Sequence, residues 1–218
     1  MKRKLILLGA GETAEVMHEY FTFDSDYEVT AFSVDKDYIK QKKLHGLDVV
    51  PLDELTNIFA TEEYSFFAAV SYTKLNRVRT AMYMQAKAKG YAPASYISSR
   101  ASVMPSAKIG EHVFIFENNV IQPFVTVGNN VIMWSGNHIG HRAKIGNNCF
   151  LSSHVVVSGF AEIGDNSFVG VNSSVTDYVK VGADCFIGAG SVISRALAND
   201  SMTRPPKCSN APIPENFY

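Results

Sequence analysis

Hydrophobic positions in the second half of the chain recur with a period of six residues. From Val103 to Ile193 every sixth residue is aliphatic or methionine, which gives sixteen positions in succession without an exception. A repeat of 18 residues lies on top of it, because an aliphatic residue precedes glycine at 109–110, 127–128, 145–146, 163–164 and 181–182. Three hexads therefore form one coil, and each side of the coil turns one aliphatic side chain towards a common axis. The spacing predicts a parallel β-helix built from triangular coils.

Small and polar residues follow the aliphatic-glycine pairs, as in GNN at 128–130 and 146–148 and GDN at 164–166. Glycine and asparagine tolerate the positive φ that a tight corner requires. The sequence therefore predicts that these residues form the corners between the short strands.

The first part of the chain has a different pattern, in which buried strands alternate with amphipathic helices. We expect strands at residues 4–9, 27–35 and 65–70, and helices at 14–21 and 75–89. This order is typical of a small α/β domain with a Rossmann-like parallel sheet. The predicted organisation is a Rossmann-like domain at 1–97, a β-helix at 98–195 and a C-terminal tail at 196–218.

Composition and charge exclude several classes of protein. Twenty basic side chains stand against 21 acidic ones, with no basic block, so nucleic acid is not expected as a partner. The apolar run at 5–8 is too short for a secretory signal, and no run reaches the roughly 18 apolar residues that span a membrane. Cys149, Cys185 and Cys208 have no CxxC spacing, so neither disulfides nor a zinc ribbon is indicated. We expect a cytoplasmic protein with no membrane partner and no metal.

The hexad ladder, together with the Rossmann-like start and the joining stretch SSRASVMPSAKIG at 98–110, resembles a known family. The pattern is similar to that of the hexapeptide-repeat acyltransferases, and within them to sugar acyltransferases of the sialic acid O-acetyltransferase and bacillosamine N-acetyltransferase type. The resemblance implies a left-handed β-helix, a homotrimer with active sites in the clefts between subunits, acetyl-CoA or another acyl-CoA as co-substrate, and a nucleotide-linked sugar as acceptor.

Acyl transfer from a thioester needs a base, and histidine suits that role near neutral pH. The segment 134–159 contains His138, His141 and His154. His141 precedes an Ile-Gly pair by four residues, and there the resemblance implies the catalytic base. The family has an acidic residue directly after this histidine, whereas this chain has Arg142. An arginine lowers the pKa of a neighbouring imidazole unless the two side chains diverge or another carboxylate faces the ring.

His154 lies three residues after a core position, on a different corner from His141. The two histidines can therefore meet only between two subunits, where His154 would assist His141 or contact the cofactor. The resemblance further implies that the backbone N–H of Gly159 binds the thioester oxygen and that Val171 and Ala189 line the channel for coenzyme A. In the tail TRPPK at 203–207, Arg204 and Lys207 are candidates to pair with the phosphates of coenzyme A.

In the first domain a GxGxxA pattern at 9–14 follows a strand and opens a helix. Backbone amides at a helix N-terminus attract phosphate. By the resemblance, the nucleotide of the sugar substrate is held by five residues: Gly11, Glu12, Thr13, Asp35 and Ser71. Glu12 is an unfavourable neighbour for a diphosphate, and the glycine and histidine that the family has at 12 and 13 are missing. Two alternatives follow: the bound nucleotide or its pose differs from that in the family, or this domain has lost the role.

Other functions remain open at this point. The GxGxxA pattern also occurs in NAD-dependent oxidoreductases, some β-helix enzymes of the γ-carbonic anhydrase type bind zinc, and a β-helix can serve as a catalytically silent binding protein. The tetrapeptide HIGH at 138–141 is also a signature of nucleotidyl transfer, but here it lies within the ladder. We expect N-acylation of an amino-deoxy sugar for surface polysaccharide or glycan synthesis, because Arg142 disfavours a strongly basic histidine and an amine that arrives neutral needs less help from a base than a hydroxyl. Sialic acid type O-acetylation is the alternative. The acyl chain and the choice between UDP and dTDP carriers are not determined.

Overall fold

The computed structural model describes residues 2–204, which form an α/β domain followed by a parallel β-helix. In the α/β domain the strands are β1 (Arg3–Leu8), β2 (Tyr27–Val34), β3 (Lys43–Leu44), β4 (Leu47–Pro51), β5 (Tyr64–Ala68) and β6 (Ala92–Pro93), and the helices are α1 (Glu12–Phe23), α2 (Leu55–Ile58) and α3 (Arg77–Ala88). The sheet order is β3-β4-β2-β1-β5-β6, and every pair is parallel except the β3–β4 hairpin. No helix in the described part of the chain is long and apolar enough to cross a membrane.

The predicted elements of this domain are present, and α3 begins two residues later than the pattern indicated. Lys74, Leu75 and Asn76 all have positive φ, so the chain makes a left-handed turn before the helix starts at Arg77. Apolar spacing alone does not reveal this turn, because Leu75 fits the helical period. Sequence analysis also missed the short strands β3, β4 and β6, which lie at the two edges of the sheet.

The β-helix consists of eighteen strands of two residues each. They are β7 (Tyr96–Ile97), β8 (Ser102–Val103), β9 (Lys108–Ile109), β10 (Phe114–Ile115), β11 (Val120–Ile121), β12 (Thr126–Val127), β13 (Ile132–Met133), β14 (His138–Ile139), β15 (Lys144–Ile145), β16 (Phe150–Leu151), β17 (Val156–Val157), β18 (Glu162–Ile163), β19 (Phe168–Val169), β20 (Ser174–Val175), β21 (Lys180–Val181), β22 (Phe186–Ile187), β23 (Val192–Ile193) and β24 (Met202–Thr203). The predicted tail from 196 onwards thus contributes a strand, β24, which pairs with β22.

Three parallel sheets form the faces of the β-helix. We call β7-β10-β13-β16-β19-β22-β24 the domain face, β8-β11-β14-β17-β20-β23 the open face and β9-β12-β15-β18-β21 the charged face. Partners lie 18 residues apart, as Phe114 pairs with Ile132. Of the sixteen predicted core positions, fourteen are buried, and Val103 and Ile109 are partly buried because they lie in the first coil. The predicted fold class is confirmed.

Each corner contains one residue with positive φ per coil, and these residues align in three columns. The first corner has His112, Asn130, Asn148, Asn166 and Asp184, the second has Asn118, Gly136, His154, Asn172 and Gly190, and the third has Phe124, Arg142, Phe160 and Tyr178. The glycines of the GNN and GDN repeats have a different function from the predicted one. A Cβ on Gly128 would lie 2.8 Å from the backbone nitrogen of Asn147, so close contact between coils requires glycine there.

The domain face is covered by the α/β domain through aromatic side chains. Its outward strand positions are mostly aromatic, and the ring of Phe114 lies 5.4 Å from that of Phe21 on α1. Higher on the same face, Tyr72 packs against Phe150 and Phe168. This contact fixes the α/β domain on one side of the prism.

The α/β domain is also bound to the first corner, by a fully buried arginine. Arg79 on α3 donates to Asn130 Oδ1 at 3.1 Å and to the carbonyl oxygens of Asn148 at 3.0 Å and Cys149 at 3.1 Å. Burial lowers the pKa of Arg79 to about 9, which leaves the guanidinium charged at neutral pH. Beside it, burial and the charge of Arg79 lower the pKa of His112 to about 3, so this imidazole is neutral. Carbonyl oxygens and neutral side chains thus solvate the buried charge.

Replacing Arg79 by alanine is expected to destabilise the protein by about 3–5 kcal/mol, because several buried acceptors lose their donor at once. The matched control is Arg77→Ala on the same helix. Arg77 pairs with Asp184 of the first corner but is half exposed, so its loss is expected to cost under about 1 kcal/mol. Urea unfolding followed by circular dichroism compares the two variants. Equal losses of stability would contradict the role given to the buried arginine.

Candidate active site

His141 lies at the third corner, where the chain leaves the open face. Strand β14 ends at Ile139, whose side chain is in the core, and two residues later the side chain of His141 is exposed. The backbone N–H of His141 donates to Gln122 Oε1 at 2.8 Å, which holds the corner. The imidazole packs edge-on against Phe160 of the next coil, with ring centroids 5.2 Å apart. The ring is thus oriented by a neighbouring coil while it stays accessible.

Gly159 lies one coil above His141 in the same column. A Cβ at this position would lie 2.8 Å from Cε1 of His141, so any other residue would displace the imidazole. The N–H of Gly159 has no acceptor among residues 2–204, although the glycine is buried. A free backbone donor beside a histidine has the geometry that stabilises the oxyanion formed in acyl transfer. The predicted base and oxyanion donor are therefore brought together.

Arg142 points away from the imidazole that precedes it in the chain. Its guanidinium carbon lies 4.6 Å above the ring of Phe124, in the coil below, whereas His141 contacts the coil above. The two side chains therefore diverge, which is one of the conditions under which the arginine does not oppose the base.

An acidic residue that sequence analysis missed lies on the other side of Gly159. Oδ1 of Asp177 is 3.2 Å from the position that a Cβ of Gly159 would occupy, and Nδ1 of His141 is also 3.2 Å from that position. Asp177 follows His141 by 36 residues, which is two coils, so the 18-residue period already places both in one column. The 18-residue period therefore contained the signal for Asp177, whereas Gly159 was predicted only from the resemblance.

The second corner carries the other residues predicted to act near the thioester. His154 is exposed, and its ring lies against Gly136, where a Cβ would be 2.6 Å from Nδ1. Val171 and Ala189 lie in the two coils above it and are also exposed. From His154 to Gly159 the extended chain advances by five residues, a distance of roughly 16 Å. Within one chain, His141 is therefore remote from His154, Val171 and Ala189. His138 points outward from the open face that lies between the two corners.

A cavity of about 780 Å³ lies at the carboxyl ends of β1, β2 and β5. All five residues predicted to bind the nucleotide line it: Gly11, Glu12, Thr13, Asp35 and Ser71. Gly9 is also needed, because a Cβ there would lie 2.7 Å from the carbonyl oxygen of Ala69. Sequence analysis missed Tyr38 and Lys40, which line the cavity from the irregular loop after β2. No periodic signal marks that loop.

The remaining predictions concern the end of the chain and metals. Arg204 is exposed after β24, and Lys207 lies outside the described residues. Within residues 2–204, no three His, Cys, Asp or Glu side chains are grouped as ligands of a metal ion would be.

Comparisons with known proteins bear on the fold and on the class of enzyme. The repeats match the bacterial transferase hexapeptide (six repeats) family over residues 106–140 and 160–195. The acetyltransferase domain of PglB from Neisseria gonorrhoeae is 25% identical, with a TM-score of 0.82 over 92% of this chain and 96% of that one. PerB from Caulobacter crescentus, solved with CoA and GDP-perosamine, is 25% identical, with a TM-score of 0.79 over 91% of this chain and 92% of that one. No curated protein sequence matches.

The fold and the repeats are those of the hexapeptide-repeat transferases. Within that class the chain is a sugar acyltransferase, since the similarity to PglB and PerB extends over both domains and not only over the repeats. The recognition made from the sequence is confirmed.

Replacing Gly159 by alanine is expected to lower thiol release from acyl-CoA about tenfold or more, because the new methyl group displaces the imidazole of His141. Folding is expected to change by less than about 1 kcal/mol, since the exposed ring is free to move. A thiol-release assay and thermal unfolding measure the two effects. The control, Gly46→Ala, adds the same methyl group where nothing lies within 4 Å but where φ is 78°. Because alanine is strained at this φ, the control is expected to lose about 1 kcal/mol of stability while its turnover stays unchanged. Full activity of the Gly159 variant would contradict the assignment of this corner as the reaction centre.

Proposed function

We propose that the protein transfers an acyl group from coenzyme A to the amine of a nucleotide-linked amino-deoxy sugar. The observation that carries this proposal is the third corner, where the accessible imidazole of His141 adjoins the free N–H of Gly159. Two solved structures of similar fold support the co-substrate and the acceptor. The PglB domain was solved in complex with acetyl coenzyme A, and PerB with CoA and GDP-perosamine.

In the proposed reaction the sugar amine attacks the thioester carbon, and the N–H of Gly159 stabilises the negative charge that develops on the thioester oxygen. His141 takes the proton from the attacking nitrogen. When the carbon–sulfur bond breaks, this proton passes to the sulfur and coenzyme A leaves as the free thiol. The products are an amide on the sugar and coenzyme A, so atoms and charge balance without a further reactant.

The open face supports assembly into a homotrimer. The domain face is covered by the α/β domain, and the outward positions of the charged face include Lys144, Glu162 and Lys180. The open face instead exposes Val120, Val156 and Val192. These valines alternate along the face with His138 and Ser174. Exposed apolar side chains among uncharged polar ones are typical of an interface.

Three prisms that turn their open faces towards one threefold axis bring the second corner of each chain against the third corner of the next. His141 and Gly159 of one chain would then face His154, Val171 and Ala189 of its neighbour. The trimer thus unites the two halves of the predicted site, with coenzyme A between the chains. Arg204 is proposed to contact the phosphates of coenzyme A, and the same expectation for Lys207 stays a prediction from sequence.

The cavity of the α/β domain is proposed to hold the nucleotide. Amides at the N-terminus of α1 face a diphosphate favourably, and Lys40 supplies a positive charge that offsets Glu12. The carrier is not limited to UDP or dTDP, because PerB was solved with a GDP-linked sugar. A cytoplasmic location and a role in surface polysaccharide or glycan synthesis stay predictions from sequence.

The preference for an amine over a hydroxyl now has a different basis. The sequence argument relied on Arg142 weakening the base, but that arginine lies over Phe124, away from the imidazole. N-acylation is instead supported by the similarity to a perosamine N-acetyltransferase.

Release of free coenzyme A, measured with acetyl-CoA and a panel of UDP-, dTDP- and GDP-linked amino sugars, tests the proposal. We expect turnover with at least one amino sugar and far less with the matching hydroxy sugar. The His141→Ala variant is expected to lose turnover about tenfold or more while its oligomeric state is unchanged. His45→Ala, which removes an exposed histidine of the α/β domain, serves as the control. An absence of thiol release with every acceptor would favour a catalytically silent binding protein, and release with hydroxy sugars alone would indicate O-acylation.

A further inference from the structure

We propose that Asp177 is the carboxylate that stabilises the protonated form of His141 during the reaction. This inference rests on the proposed acyl transfer. It makes Asp177 a positioning residue, which acts through His141 and does not itself touch the reacting atoms. It also explains how the site functions with an arginine at position 142, where the family has an acid.

Gly159 lies between His141 and Asp177 in the column of the third corner. Because this residue has no side chain, the imidazole of His141 from the coil below and the carboxylate of Asp177 from the coil above both approach the place where a Cβ would be. Nδ1 of His141 and Oδ1 of Asp177 are each 3.2 Å from the same point, the site of the missing Cβ. An opposite charge at about 4–6 Å is close enough to favour the charged form of a side chain. Gly159 therefore provides a free N–H and, because it has no side chain, also lets His141 and Asp177 approach each other.

The position of Arg142 leaves this role to Asp177. The guanidinium is stacked on Phe124 in the coil below, so its charge lies on the opposite side of the imidazole from the carboxylate. Asp177 is exposed and forms no ion pair with the described part of the chain, so its charge is not already neutralised. Arg195, an exposed cation in the coil above and in the same column, forms no ion pair with Asp177.

Other carboxylates near the two ends of the open face are already engaged. Glu162 on the charged face pairs with Lys144 and Lys180. Glu117 at the second corner accepts hydrogen bonds from Tyr20 and Ser135. Asp177 is the one acid in the column of the third corner that contains His141 and Gly159.

Asp177 would act at one defined step of the reaction. When the amine attacks the thioester, its proton moves to His141 and creates an imidazolium. The carboxylate stabilises this cation until the proton passes to the sulfur of the departing coenzyme A. The interaction exists with full strength only while the imidazole is charged, so it is expected to appear in kcat and not in KM.

The test uses the full-length protein and a substitution that keeps the charge. Asp177→Asn is expected to lower kcat about tenfold with little change in KM, and Asp177→Glu, which retains a carboxylate, is expected to keep most of the wild-type kcat. Asp200→Asn, which removes an exposed acid elsewhere on the β-helix, is the control and should have no effect. Unchanged kcat in Asp177→Asn, or an equal loss in Asp177→Glu, would overturn the inference.

A second readout does not depend on turnover. Carbethoxylation by diethyl pyrocarbonate at pH 6 modifies neutral imidazoles, and mass spectrometry follows each histidine separately. If Asp177 favours the imidazolium, His141 reacts faster in Asp177→Asn than in the wild type, relative to His45 in the same protein. An unchanged relative rate would contradict the inference even where no sugar acceptor is turned over. A wild-type protein that releases no thiol would count against the proposed function alone.

Discussion

The stack of aliphatic side chains along the axis of the β-helix is the constraint on which the rest of the structure depends. It holds successive coils about 4.8 Å apart, the usual spacing of hydrogen-bonded strands. Residues 18 apart are therefore neighbours wherever they lie on the prism. The column of His141, Gly159 and Asp177 follows from this spacing alone. The core thus places the proposed base, the backbone donor and the carboxylate in one column, and contacts of His141 with Gln122 and Phe160 add to this placement.

The same spacing positions the α/β domain. Helix α3 rises about 5.4 Å per turn, close to the distance between coils, so successive turns meet successive residues of the first corner. Arg77 pairs with Asp184, Arg79 bonds to Asn148 and Asn130, and Tyr83 bonds to Glu111. The buried guanidinium of Arg79 also donates to the carbonyl oxygen of Ser71, at the rim of the cavity proposed to hold the nucleotide. The cavity is therefore set at a fixed height along the β-helix.

The fold was largely predictable, since a strict period of six can be satisfied by few structures other than a triangular coil. The same period puts His141, Gly159 and Asp177 in one column, although Gly159 was predicted only from the resemblance and Asp177 was not predicted. The aromatic domain face was also predictable, because its phenylalanines at 114, 150, 168 and 186 follow the 18-residue period. Tyr38 and Lys40 could not be predicted, because they lie in a loop without periodicity. The left-handed turn at Lys74 to Asn76 depends on the buried contacts of Asn76 with Asn166 and Ser167, which no local pattern shows.

The central claim is that the reaction centre forms between the third corner of one chain and the second corner of another. Mixed assembly of two inactive variants tests it most directly. His141→Ala disables the third corner, and Val171→Trp blocks the channel at the second. If the site lies between chains, co-assembly in equal amounts restores thiol release at about one quarter of the interfaces, where both corners are intact. If each chain contains a complete site, the mixture stays inactive, and the account would be wrong.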